Sequence, residues 1–172
     1  MSSHPHTFSR YCMHCGERLT TAMPEGDNRR RLVCIGCNFI HYINPRPVAG
    51  TIPVNEAGEV LLVKRDIEPR IGYWVFPGGY MDVGESAEEA AIRETLEEAH
   101  LEVDALRLVG VYTRIEPGVV VIVYEAQARS AAEAGHETSE VRWFAAEDIP
   151  WAEIAFDSTE AALRDWVNGR GL

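Results

Sequence analysis

The 172-residue sequence contains no apolar run approaching the roughly 20 residues needed to cross a bilayer, which excludes a membrane-spanning helix as a reading of the sequence. Its first ten residues, Met1 to Arg10, carry His, Pro and Ser but no apolar stretch, so no signal peptide is expected and a cytoplasmic location is. Positive charge is scarce: 16 Lys and Arg face 27 Asp and Glu, for a formal charge of −11. That average field repels duplex nucleic acid, so nucleic acid is not an expected partner. It does not exclude an anionic small molecule, provided divalent cations stand between the two. No repeat or low-complexity stretch follows Phe39, and no cysteine follows Cys37. With 46% hydrophobic and 25% charged residues, the composition is that of an ordinary globular chain rather than a disordered, collagenous or coiled-coil one.

The four cysteines come early, as Cys12-x-x-Cys15 and Cys34-x-x-Cys37 with eighteen residues between the pairs. Two thiolate knuckles at that spacing can close one tetrahedral zinc site, and Gly16 and Gly36 let the chain wrap around it. The alternative is two disulfides or redox-active thiols, which a reducing compartment disfavours. His14 lies inside the first knuckle, but four sulfurs already complete the shell. Between the pairs, Pro24-Glu25-Gly26-Asp27-Asn28 predicts a turn, and Arg29, Arg30 and Arg31 predict a solvated hairpin tip rather than a nucleic-acid grip.

Beyond the cysteines, Asn44-Pro45-Arg46-Pro47 predicts an extended connector. Apolar runs predict strands over 48–54, 60–64, 106–115, 119–128 and 141–144, and a short apolar segment over 73–76 that stops at Pro77-Gly78-Gly79. A helix is expected over 86–100, opened by the capping-box pair Ser86 and Glu89, with Ile92, Leu96 and Ala99 as its buried stripe. A second helix is expected over 158–168, with Leu163, Trp166 and Val167 turned inward. The sum is an α/β chain with a mixed sheet and two main helices.

On the first helix Glu94, Glu97 and Glu98 stand at i, i+3 and i+4, on one face and away from Ile92, Leu96 and Ala99. Like charges at that spacing repel, and a hard divalent cation would turn the repulsion into binding. By itself Glu-x-x-Glu-Glu is more often a solvated acidic face. The whole run is more specific: Gly79-x5-Glu85-x7-Arg93-Glu94-Thr95-Leu96-Glu97-Glu98-Ala99-His100-Leu101 resembles the signature of the Nudix hydrolases. It departs at two positions, where Thr95 replaces an aliphatic residue and His100 replaces a glycine. Neither is a metal-ligand position.

The resemblance extends over nearly the whole chain. The cysteine segment is similar to the zinc ribbon that precedes the Nudix domain in a subgroup of dinucleotide pyrophosphatases. The strings Ile40-His41-Tyr42-x-Asn44-Pro45, Pro77-Gly78-Gly79-Tyr80-Met81 and Ile149-Pro150-Trp151 support it. It implies a Nudix-type αβα sandwich over 43–172, preceded by a ribbon over 8–42 holding structural Zn²⁺ on Cys12, Cys15, Cys34 and Cys37. It also implies Mg²⁺ or Mn²⁺ held by the Gly78 carbonyl, Glu94 and Glu98, with Glu97 sharing a second ion or holding its water. Arg93 would orient the carboxylates, and Glu85 would support the site or reach a metal through water. Glu137 is the expected loop ligand or general base, with Glu140 as the fallback.

The implied reaction is hydrolysis of the diphosphate in an ADP-X nucleotide, with AMP as a product. Arg65, Arg70 and Arg114 are candidate phosphate contacts, Arg65 first among them, although each is more often an ordinary surface arginine. Trp74, with Tyr73 and Phe76, is a candidate platform for a base or flavin, although aromatics in a short strand are more often core. NADH-type members carry Ser-Gln-Pro-Trp downstream of the box, and residues 112–119 lack it, which favours FAD or ADP-ribose. An NADH or RNA-cap hydrolase and a non-catalytic ligand sensor are the alternatives, and retention of Glu85, Glu94, Glu97 and Glu98 favours an enzyme. The resemblance further implies a homodimer.

Overall fold

The computed structural model describes residues 10–169 and divides into two compact units, one ending at Pro45 and the other beginning at Arg46. The sequence-based boundary of 42/43 lies three residues earlier.

In the first unit, strands β1 (Leu19–Ala22), β2 (Arg31–Cys34) and β3 (Ile40–His41) form an antiparallel sheet in that order. Leu19 pairs with Cys34 and Ala22 with Arg31. The turn between them is held by its own charges: Arg31 Nε lies 2.9 Å from Asp27 Oδ2, and Arg30 Nη2 donates to the Thr21 carbonyl at 2.9 Å. Arg30 and Arg31 therefore hold the hairpin together. Cys12 and Cys34 are buried, and Cys15 and Cys37 are exposed.

The second unit contains strands β4 (Arg46–Val54), β5 (Val60–Arg65), β6 (Trp74–Val75), β7 (Gly78–Tyr80), β8 (Val103–Arg114), β9 (Val119–Ala128) and β10 (Thr138–Phe144), and helices α1 (Ala87–Ala99) and α2 (Asp157–Val167). The main path of the mixed sheet is β10-β5-β4-β9-β8, with β4 and β9 parallel. The expected connector at Arg46-Pro47 is instead the start of β4, paired with Val119 and Val120. The sheet is buried on both faces, which is why β5 reads Val-Leu-Leu-Val without alternation. Val60 and Leu62 pack with Ile52, Val121, Val123 and Leu163 of α2, whereas Leu61 and Val63 pack on the opposite side with Ala99 and Leu101. The result is an αβα sandwich.

Between β4 and β5 the ladder holds for one pair, Val54 with Val60, and then the strands separate. Each takes a new partner: β5 takes β6, and β4 takes β7 through Gly50 and Gly78. The Gly-Gly segment, where the apolar run over 73–76 stops, is thus a short strand inserted where the sheet opens.

Helix α1 begins as expected. Ser86 Oγ accepts from the Glu89 N–H at 3.2 Å, and Glu89 Oε2 accepts from the Ser86 N–H at 2.7 Å. Its buried face is not the expected one. Ile92 and Leu96 are exposed, and Ala90, Ala91, Thr95 and Ala99 are buried. At 3.6 residues per turn, Glu94 and Glu98 fall between Ala90 on one side and Ala91, Thr95 and Ala99 on the other. The inward face is made of small residues because two carboxylates share it. In α2, Leu163 is buried and Trp166 packs against the core, donating Nε1–H to Glu125 Oε2 at 2.8 Å. Val167, expected inward, is exposed. Among the described residues no helix is long and apolar enough to cross a membrane.

Candidate active site

Where β7 meets α1, a cavity of about 550 Å³ is lined by Gly79, Tyr80, Asp82, Arg93, Glu94, Glu97, Glu98, His136 and Glu137. Five of these nine are carboxylates and one is a guanidinium, so the cavity is an oxygen-rich anionic pocket.

Its deepest charge is Glu98. The helix turns this side chain toward β7, where Oε2 accepts from the Gly78 N–H at 3.0 Å. Burial is the largest influence on the carboxyl and pushes its pKa up to about 7; the nearby Glu94 and Glu137 charges push the same way, against the Gly78 hydrogen bond and Arg65. Glu94 is raised as well, again mainly by burial and against the pull of Arg93. A side chain on Gly79 would overlap the Glu94 carboxylate, so only glycine lets the strand lie this close to the helix.

Arg93 organises the rim. Its Nε and Nη2 grip Glu85 at 3.0 and 2.8 Å, Nη1 donates to Glu94 at 2.7 Å and to Glu97 at 3.3 Å, and Nη2 reaches the Tyr80 carbonyl at 3.2 Å. A planar fork with five donors suits this position, and an ammonium would not span it. The paired guanidinium, helped by the Asp82 N–H, holds the Glu85 carboxyl down at about 2. Glu85 thus fixes Arg93, and Arg93 fixes Glu94.

Helix α1 ends at His100, whose backbone is left-handed at φ 46° and ψ 30°. The residue that departs from the signature therefore adopts the conformation glycine would take there. Thr95, the other departure, is fully buried. Its hydroxyl donates to the Ala91 carbonyl at 2.7 Å and lies 2.6 Å from Thr51 Oγ1 on β4. The aliphatic contact expected at that position is replaced by a polar clip between helix and sheet.

Of the residues expected to carry chemistry, the structure brings Arg93, Glu94, Glu97, Glu98 and Glu137 to one cavity, with Gly78 and Glu85 one hydrogen bond behind it. Glu140 does not line it and pairs with Lys64 and Arg142 on the outer strand. Arg65 and Arg114 both stack on Phe156, 5.2 and 4.1 Å from the ring centre. Arg65 is tethered to the Pro69 carbonyl at 2.8 Å, and Arg114 Nε is buried with no hydrogen-bond partner, Asp157 lying 3.7 Å away. Arg70 lies over Tyr73 on the β5–β6 loop. Trp74 is a correction: at 3% exposure it is core, packed edge-on against Phe144 at 5.1 Å, and offers no ring to a ligand. Tyr80, Asp82 and His136 line the cavity without having been singled out. The first two lie in the glycine-rich run and the third beside Glu137, but nothing in their spacing marks them.

The cysteines converge. Cys12 Sγ lies 3.8 Å from Cys37 Sγ, Cys15 Sγ lies 3.4 Å from Cys34 Sγ, and all four are within 4.8 Å of one another. A disulfide needs about 2.05 Å, whereas a tetrahedron of Zn–S bonds of about 2.3 Å has edges of about 3.8 Å. The Gly36 and Cys37 N–H groups donate to Cys34 Sγ, each at 3.4 Å, and the His14 N–H donates to Cys12 Sγ. The His14 ring stacks on Phe39 and is not part of the donor cluster. Among the described residues no three cavity carboxylates lie as close together as these sulfurs. Mg²⁺ does not need them to, because it keeps water and uses substrate phosphates to complete its shell.

Comparison with known proteins agrees with both units. The family model described as NUDIX domain matches residues 44–167, and that described as Nudix N-terminal matches residues 10–43. A Bacillus subtilis protein provisionally named 8-oxo-dGTP diphosphatase is 33% identical over 123 residues, covering 70% of this chain and 79% of its own. An ADP-ribose pyrophosphatase of Methanocaldococcus jannaschii is 31% identical, over 74% of this chain and 78% of its own. The NAD-capped RNA hydrolase NudC of Pseudomonas putida is 27% identical over 82% of this chain, which spans half of NudC's length. The crystal structure of a NUDIX hydrolase from Nitrosomonas europaea superposes with a TM-score of 0.88 at 37% identity, covering 94% of this chain and 92% of that one.

Proposed function

The chain belongs to the Nudix hydrolases, and from that premise we propose that it hydrolyses the diphosphate of an ADP-X nucleotide, ADP-ribose before FAD, releasing AMP. The observation that carries this is the anionic cavity built on α1: two carboxylates that burial has raised, Glu94 fixed by Arg93 and Glu98 by the N–H of the glycine strand. Crowded carboxylates of this kind are stabilised by a divalent cation, and an all-oxygen donor set suits Mg²⁺ or Mn²⁺. Glu94, Glu98 and the Gly78 carbonyl would hold it, with Glu97 at the exposed edge. A bound cation neutralises the diphosphate and acidifies water.

The chain's own residues do the rest. Arg93, braced by Glu85, keeps Glu94 and Glu97 in place. Glu137 takes the proton from the attacking water, whose oxygen joins one phosphorus as the bridging oxygen leaves with the other phosphate. Arg65 and Arg114, sharing Phe156, contribute positive charge for the phosphates. The four thiolates hold a structural Zn²⁺. A homodimer, implied by the family resemblance, belongs to the same proposal and is read by sedimentation.

The test is product analysis with zinc-loaded protein, Mg²⁺ and, separately, ADP-ribose, FAD, NADH and 8-oxo-dGTP. AMP from ADP-ribose, lost in Glu98→Gln, is the expected result. Cleavage of NADH alone would favour the activity class of NudC, cleavage of 8-oxo-dGTP alone would replace the substrate class, and no cleavage of any would contradict the proposal.

A further inference from the structure

Glu137 lies on the loop between β9 and β10, yet the structure ties that loop to the end of α1. Four bonds do so. The Glu133 N–H donates to the Ala99 carbonyl at 2.8 Å, and the Gly135 N–H to the Glu98 carbonyl at 2.9 Å. The Thr138 hydroxyl donates to the same Glu98 carbonyl at 2.8 Å and accepts from the Gly135 N–H at 2.9 Å. These carbonyls belong to the last turn of α1, which has no intrahelical partners for them. On its other side the loop is pinned by the Asp66 N–H, which donates to the Glu137 carbonyl at 2.9 Å.

Two features show that the junction is built rather than incidental. Thr138 is a buried polar residue, and its hydroxyl closes a three-way contact with Gly135 N and Glu98 O. Gly135 lies so close to the helix that any side chain there would overlap the Glu97 carbonyl. Glu98 thus serves twice: its carboxylate faces the cavity while its backbone carbonyl anchors the loop that brings Glu137 to the same cavity.

We infer that Thr138 and Gly135 are positioning residues for the hydrolysis, fixing Glu137 against the carboxylates of α1 by capping that helix with the loop. The inference rests on the role proposed above for Glu137. Thr138 itself is not among the residues that line the cavity. A loop free of the helix would still carry Glu137, but it would not hold the carboxylate at a set distance from the water it deprotonates, and misplacement on the ångström scale costs about 10²-fold in rate.

The experiment is a kinetic cycle on the full zinc-loaded chain, with ADP-ribose and Mg²⁺, measuring kcat, KM and the melting temperature. Glu137→Gln is expected to lower kcat about 10²-fold. Thr138→Val is expected to lower kcat about tenfold, with KM for ADP-ribose little changed, while Thr138→Ser, which keeps the hydroxyl, stays within about twofold of the wild type. Combined with Glu137→Gln, Thr138→Val should cost less than about a further twofold, because the residue it positions is already disabled. Should Thr138→Val not fold, Thr138→Ala carries the same comparison. Equal tenfold losses with and without Glu137→Gln would overturn the inference and leave Glu137 its role. Full activity of Glu137→Gln would overturn both. A Thr138→Ser variant as impaired as Thr138→Val would also overturn the inference.

Discussion

The Gly78 N–H and Glu98 Oε2, twenty residues apart in sequence, meet at 3.0 Å where the sheet opens between β4 and β5. That contact places a carboxylate on the inward face of α1, the face a helix ordinarily fills with aliphatic side chains. It accounts for the alanines around Glu94 and Glu98 and for the outward turn of Ile92 and Leu96, while the glycine at 79 makes room for the Glu94 carboxylate.

The polar clip between Thr95 and Thr51 fixes how α1 sits on β4. Thr95 already donates to Ala91, so Thr51 must donate to Thr95. Thr95→Val would strand the Thr51 hydroxyl in the core and should cost about 1–3 kcal/mol. Adding Thr51→Val should recover most of that loss. Urea denaturation of the single and double variants measures both effects, and additive losses would contradict the clip.

Arg93→Lys keeps the charge and loses the fork. It should lower kcat about 10²-fold because Glu94 and Glu97 lose their shared anchor. Steady-state kinetics with ADP-ribose reads the loss, and a Lys variant near wild-type activity would show that charge alone suffices.

Glu85 gives a pH signature. Its carboxyl falls from an ordinary 4.5 to about 2 in the folded chain, chiefly through Arg93 and then the Asp82 N–H. A depressed carboxyl stabilises the fold above its unfolded value and loses that contribution as pH falls toward the folded one. The melting-temperature advantage of the wild type over Glu85→Gln should be constant from about pH 6 to 8 and shrink below about 4.5. An advantage that grows on acidification would contradict the assignment.

The parts of this molecule that were legible in the sequence are those set by local pattern. Val119–Ala128 was bounded correctly because its apolar run is flanked by a turn, and α1 began where Ser86 and Glu89 cap it. The cysteine set was legible from its spacing, and the carboxylates of α1 from the resemblance of the whole run to the Nudix signature rather than from spacing alone. What was not legible depends on partners distant in the chain. Nothing local says that Gly78–Tyr80 pairs with Val48–Gly50, or that Thr95 will meet Thr51. The inward face of α1 differs from the expected one because bulk does not mark burial there: Glu98 can reach Gly78 only across small residues. Trp74, a candidate platform by its place beside a functional loop, takes the commoner fate of an aromatic in a short strand, and the sheet buries it.

Glu94 and Glu98 are proposed to hold a divalent cation in the α1 cavity. Titrating zinc-loaded protein with Mn²⁺ and following the free-ion electron paramagnetic resonance signal shows whether they do. The wild type should remove Mn²⁺ signal at stoichiometric concentration, and the Glu94→Gln/Glu98→Gln double variant, folded and with its zinc retained, should not. Equal loss of signal in both proteins would contradict the proposal.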